Sequence, residues 1–101
     1  NGFVFVSGQL GIDPVTGELA GERRRAGSQA LKNIKHILDA AAPASNTLPR
    51  HHLHEERRRF HEIDDVYAQT FIGSVKPARV AFGGNNIPKG ALVEIDAIAV
   101  L

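Results

Sequence analysis

Apolar residues are spaced differently in different parts of this chain, and the changes of spacing mark out the elements. Phe3, Val4, Phe5 and Val6 form an unbroken β-rich run that ends at Ser7-Gly8-Gln9. Such a run predicts a short strand buried on both faces and stopped by the glycine. Asp13-Pro14-Val15-Thr16-Gly17 reads as a turn, because proline presets φ and glycine supplies a positive one. From 24 to 42 the spacing becomes helical: Ala30, Leu31, Ile34, Ile37, Leu38 and Ala41 recur three and four apart along one stripe, and Pro43 stops the helix.

Residues 43–60 carry neither signal. They mix prolines, histidines and arginines without strand alternation or helical stripe. A helix resumes over 62–72, with Ile63, Val66, Tyr67 and Phe71 inward and Gly73 as its stop. Residues 77–82 read as strand entry and 83–90 as a loop. The best strand in the chain runs from 91 to 101. Val93, Ile95, Ala97 and Ala99 point one way; Leu92, Glu94, Asp96, Ile98 and Val100 point the other. Both faces are largely apolar, so helices should cover one and a symmetric partner the other.

Composition narrows the function classes. With 101 residues the chain is one domain, and 43% hydrophobic residues support a packed core. No apolar run approaches the roughly 20 residues of a membrane helix, so no membrane partner is expected. A formal charge of +1 favours no partner class. Arg23 to Arg25 lie near Glu18 and Glu22, and Arg57 to Arg59 follow Glu55 and Glu56, so neither triplet makes the basic stripe of a nucleic-acid binder. The absence of cysteine excludes disulfides, thiolate catalysis and Cys-ligated zinc. The chain opens at Asn1 directly into an apolar run, which reads as a trimmed or fragmentary start without a signal peptide; a cytoplasmic location is expected. The glycines at 8, 11, 17 and 21 lead into no phosphate loop.

Three segments carry a family signature. They are FVFVSGQLGIDPVTG at 3–17, SQALKNIKHILDAA at 28–41, and KPARVAFGGNNIPKGALVEIDAIAV at 76–100. In this order and spacing, with Tyr67 between the last two, they resemble the Rid/YjgF family, also described as L-PSP endoribonuclease-like. The resemblance implies an α+β fold of chorismate-mutase-like type: a mixed β-sheet with two helices packed on one face. It also implies a trimer with inter-subunit clefts, formed by a single domain over 1–101 that lacks the family's first strand. Ala81 stands where many members have cysteine, and Gly83-Gly84-Asn85-Asn86 replaces strand-forming residues. At 43–60 the family has a core strand, and here a frameshift fits. One permitted set of codons for residues 51–60, read one base later, gives Thr-Ile-Phe-Met-Lys-Asn-Val-Asp-Asp and a codon that can be Phe. The segment as written is therefore expected either to loop out, leaving a gap in the sheet, or to be misreported.

Arg79 is the leading site candidate on its own chemistry. Its planar fork matches a carboxylate, although an arginine at a strand start can equally pair with a structural acid. Glu94 lies within an apolar strand, where glutamate is rarely placed unless it is paired or used; a salt bridge to Arg79 would be the structural account. By resemblance, Arg79 and the backbone N–H groups of Gly8 and Ala81 hold a substrate carboxylate, Asp64 stands at a substrate-binding position where asparagine is common, and Glu94 orients the hydrolytic water. His51, His52, His54 and His61 lack the spacing of a catalytic zinc site, and Ser7, Ser28, Ser45 and Ser74 lack a nucleophile elbow. The activity implied is hydrolytic deamination of reactive 2-enamine or 2-imine acids to 2-oxo acids and ammonia, by a homotrimer acting on a small-molecule carboxylate without cofactor or metal. A non-enzymatic trimeric carboxylate binder and an endoribonuclease are the alternatives.

Overall fold

A computed structural model describes residues 2–41, 50–55, 60–71, 77–83 and 86–100, with 50–55, 60, 61 and 82 described by their backbone alone. The elements in order are β1 (Phe3–Leu10), α1 (Arg23–Ala41), β2 (Arg50–Glu55), α2 (Phe60–Thr70), β3 (Arg79–Gly83) and β4 (Val93–Val100). A 3₁₀ turn, Pro88–Gly90, precedes β4. The strands form one mixed sheet in the order β1-β4-β2-β3. β4 is antiparallel to both β1 and β2, while β2 and β3 are parallel across the α2 crossover. This is the expected α+β arrangement.

Strand alternation and helical periodicity meet in one core. Val93, Ile95, Ala97 and Ala99 are all buried, as their spacing predicts. α1 covers them with Ala26, Ala30, Leu31, Ile34 and Leu38, and α2 adds Ile63, Val66 and Tyr67. Among the described residues Ile63, Val93 and Ile95 are the largest fully enclosed side chains, each stabilising the fold by roughly 1.5–3 kcal/mol. The α1 stripe is shifted from the expected one. Ile37 is 37% exposed and Ala41 is exposed, whereas Ala26 and Gly27 are buried. Small residues lie there because α2 comes close: a Cβ built at Gly27 would fall 2.9 Å from Ile63 Cδ1. Asn33 ties α1 to the end of β1, its amide donating to the carbonyls of Leu10 (3.2 Å) and Ile12 (2.9 Å).

The turn at 13–17 forms as read. The Asp13 carboxylate accepts from the N–H groups of Val15 and Thr16, and Gly17 sits at φ 74. Two expectations are corrected. β1 does not stop at Gly8 but continues to Leu10, absorbing Ser7 and Gly8 in a register shift between Val6 and Gln9. Nor is it covered on both faces within one chain: Val6 is buried, but Phe3 and Phe5 are 64% and 73% exposed.

A further correction concerns 43–60, where looping-out with a gap was one of the two outcomes expected. Arg50–Glu55 instead forms an inner strand, with Arg50 to Glu55 aligned on Ile98 to Val93 and His51 to Glu55 on Arg79 to Gly83. The ladder uses main-chain groups that every residue here possesses, so a composition unlike a core strand does not prevent pairing. The side chains of this strand lie outside the described residues, as does the frameshift reading that turned on them. The helix stops assigned to Pro43 and Gly73 lie outside them too. Among the described residues no helix is long and apolar enough to cross a membrane.

Candidate functional site

The five candidate residues fall into two groups on opposite faces of the sheet. The first group forms where α2 meets β3. Arg79 opens β3 and is aligned through His51 with Ala97, which places it on the helix-covered face. Asp64 and Tyr67 are three apart on α2 and so share a side of that helix. The guanidinium carbon of Arg79 sits 4.8 Å from the Tyr67 ring centroid, a cation–π contact that sets the plane of the fork. Arg79 Nη2 donates to Asp64 Oδ1, forming an ion pair. The Tyr67 hydroxyl donates to the Pro77 carbonyl at 3.2 Å, fixing the ring to the segment that leads into β3. Burial raises the Tyr67 pKa above its ordinary value, with the Arg79 cation opposing that rise. Ala81 lies two residues along β3, half-buried with its methyl against the core. β3 is an edge of the described sheet, where strand N–H groups remain available to a ligand.

The second group forms where β1 meets β4. Glu94 alternates with the buried Val93 and Ile95 and therefore lies on the face away from the helices. Its carboxylate rests against the β1 bulge. A Cβ built at Gly8 would fall 2.7 Å from both Cδ and Oε1 of Glu94, so only glycine permits this approach. On the same side an open depression of about 300 Å³ is lined by Phe5, Ser7, Gly8, Asp96 and Ile98. Exposed Phe3, Phe5 and Val100 lie on the same face, Phe3 aligned with Val100 and Phe5 with Ile98.

Within one chain the two groups do not meet. Arg79 is level with Ala97 and Glu94 with Phe82, so the two residues are separated by two strand spacings and three residues along the strands, roughly 14 Å, on opposite faces. The salt bridge between Arg79 and Glu94 considered from sequence is thus not made; Arg79 pairs with Asp64 instead. The role of Tyr67 as the platform under Arg79 was missed. Its i, i+3 spacing from Asp64 was the available signal, but an inward aromatic on a helix reads first as core. Among the described residues no group of three or more His, Cys, Asp or Glu could hold a metal. The side chains of His51, His52, His54 and His61 lie outside that set.

With the geometry in hand, comparison with known proteins is decisive at the family level. The family model described as Endoribonuclease L-PSP matches residues 1–101. The chain belongs to this family, the Rid/YjgF proteins. Among Rid relatives, a RutC family protein of Pyrococcus horikoshii is 41% identical over 99 residues, covering 96% of this chain and 78% of the relative. A Bos taurus protein named 2-iminobutanoate/2-iminopropanoate deaminase is 42% identical, over 96% of this chain and 72% of its own length. RidA from an Antarctic Psychrobacter superposes with a TM-score of 0.92 at 31% identity, over 100% of this chain and 82% of that one. Escherichia coli TdcF, solved with bound serine, gives a TM-score of 0.88 at 30% identity, over 98% and 80% of the respective chains. Imine deamination is therefore an activity named within the Rid family to which this chain belongs.

Proposed function

We propose that this Rid protein hydrolyses short-lived 2-imine or 2-enamine acids to 2-oxo acids and ammonia, in clefts between the subunits of a trimer. The observation that carries the reading is the pair of incomplete half-sites. One presents a guanidinium fork held on an aromatic ring; the other presents a carboxylate against a bare backbone. A carboxylate-bearing imine needs both, an anchor for its charged end and a group to direct water at its imine carbon. Arg79, with the N–H groups of Gly8 and Ala81, binds the substrate carboxylate. Glu94 orients a water molecule and accepts its proton as oxygen bonds to carbon. That proton passes to the imine nitrogen to give a carbinolamine; the carbinolamine hydroxyl then gives up its proton to the nitrogen as the C–N bond breaks, leaving a 2-oxo acid and ammonia. Serine bound in the TdcF relative and the names of the deaminase relatives agree with a small amino-acid-derived substrate.

Half-sites on opposite faces of one sheet can act together only between copies. Such head-to-tail pairing closes as a ring, which the family resemblance sets at three, and it would cover exposed Phe3, Phe5 and Val100. The test is release of ammonia and 2-oxobutanoate from 2-iminobutanoate generated in situ, with mass measured by light scattering on the same sample. Turnover by a trimer is expected. Carboxylate binding without ammonia release would make the protein a non-enzymatic binder, and turnover by a stable monomer would overturn the shared cleft.

A further inference from the structure

The Arg79 fork already holds a carboxylate in the free chain. Its Nη2 donates to Asp64 Oδ1, and the rest of the guanidinium is constrained by the Tyr67 ring, 4.8 Å from its centre. The Arg79 side chain is 22% exposed and that of Asp64 50%, so the pair sits at the mouth of the half-site rather than in the core. Tyr67 is in turn fixed to the Pro77 carbonyl, which limits how far the fork can swing to meet a ligand elsewhere.

We infer that Asp64 is a specificity-determining residue that occupies one prong of the Arg79 fork and so narrows the advantage of small carboxylates at this site over ligands with an uncharged polar end. This rests on the reading of Arg79 as the ligand anchor. An incoming carboxylate can accept both parallel N–H bonds of a guanidinium only if no other acceptor holds one of them. Here Asp64 closes the edge that uses its Nη2 N–H, so the incoming group must displace it or take the other edge. It must then sit beside a second negative charge in a partly shielded setting, where like charges repel more strongly than in open water. An amide or alcohol end meets no such repulsion; its carbonyl or hydroxyl oxygen can accept from the remaining prong while Asp64 stays in place. Asparagine at 64 would keep the shape of the side chain and remove the competing charge. Free 2-imino acids thus remain substrates, but Asp64 narrows their advantage over imines whose acid function is masked, such as 2-imino amides.

The test compares 2-oxobutanoate with 2-oxobutanamide as probes, by calorimetry, on the assembled protein and its Asp64→Asn variant. The variant is expected to bind 2-oxobutanoate about tenfold more tightly, with the amide changed by less than about twofold. Adding Arg79→Met to Asp64→Asn is expected to abolish the gain. Equal or weaker carboxylate binding by Asp64→Asn overturns the inference, as does a gain shared equally by the amide. Ammonia release from 2-iminobutanoate by the same preparations separates this result from the catalytic reading. Turnover with no effect of Asp64→Asn on probe selectivity overturns the inference and leaves deamination standing. A selective gain without turnover by either protein supports the inference and overturns deamination.

Discussion

Gly8 and Glu94 approach so closely across β1 and β4 that a Cβ at position 8 would lie 2.7 Å from the Glu94 carboxyl carbon. The contact is made at the free end of a flexible side chain. Gly8→Ala should therefore displace the carboxylate while leaving the backbone in place. Imine deamination is expected to fall on the order of 10²-fold, with the far-UV circular dichroism spectrum unchanged. A variant with full activity would mean that the position of Glu94 does not matter to turnover.

Glu94→Gln keeps the shape of the side chain and removes its charge and its capacity to accept a proton. Turnover should drop by about 10²–10⁴-fold with ligand affinity retained. Calorimetry with 2-oxobutanoate beside ammonia release checks this. Unaltered turnover would make Glu94 structural, and failure to fold would show that its charge is paired within the protein.

Gly11→Ala probes the joint between β1 and α1. A Cβ there would fall 2.6 Å from Ala26 Cα and 2.7 Å from its carbonyl oxygen, both rigid backbone atoms. The expected loss is about 1–3 kcal/mol, read as a lower urea midpoint at an unchanged slope. An unshifted midpoint would show that the two segments separate at little expense.

Tyr67 is the chain's single tyrosine, so its phenolate absorbance reports on one environment. Burial raises its pKa above the ordinary 10.0 and the Arg79 cation opposes the rise. The titration midpoint should lie above 10.0 in the folded protein and move higher still in Arg79→Met, which keeps bulk over the ring and removes the charge. In the unfolded chain the phenol ionises near its ordinary value while the folded chain still holds the proton. The Tyr67 contribution to stability is thus intact below 10.0 and lost as pH rises past it. A midpoint at or below 10.0, or a downward move in Arg79→Met, would contradict this arrangement.

Elements with one dominant period were legible in the sequence. The alternation of Val93, Ile95, Ala97 and Ala99 gave β4 and its buried face, and the spacing of Ile63, Val66 and Tyr67 gave the inner side of α2. Where apolarity was not the governing quantity, the reading slipped. Ile37 was placed on the inward stripe and Ala26 and Gly27 were left off it, although close helix approach favours small residues over large ones. Gly8 was read as a strand stop, yet its lack of a side chain serves a neighbour's carboxylate while the strand continues past it. The strand at Arg50–Glu55 was hidden because the usual signal lies in side chains and the ladder lies in the main chain. Arg79 and Glu94 could be singled out by residue chemistry and family resemblance. The pairing of Arg79 with Asp64, 15 residues earlier, required the β2-α2-β3 crossover to be known first.

The strand order also sets the timetable of folding. β4, the last strand, lies between β1 and β2, and Phe3 is aligned with Val100. The paired residues lie far apart in sequence, so a large loop must close before the contact returns any stabilisation. During synthesis α1, β2 and α2 would emerge with no strand between β1 and β2 to receive them. The sheet then completes only after β4 has left the ribosome, and a nascent chain stalled before it would carry the helix residues of the core without Val93, Ile95, Ala97 and Ala99 beneath them.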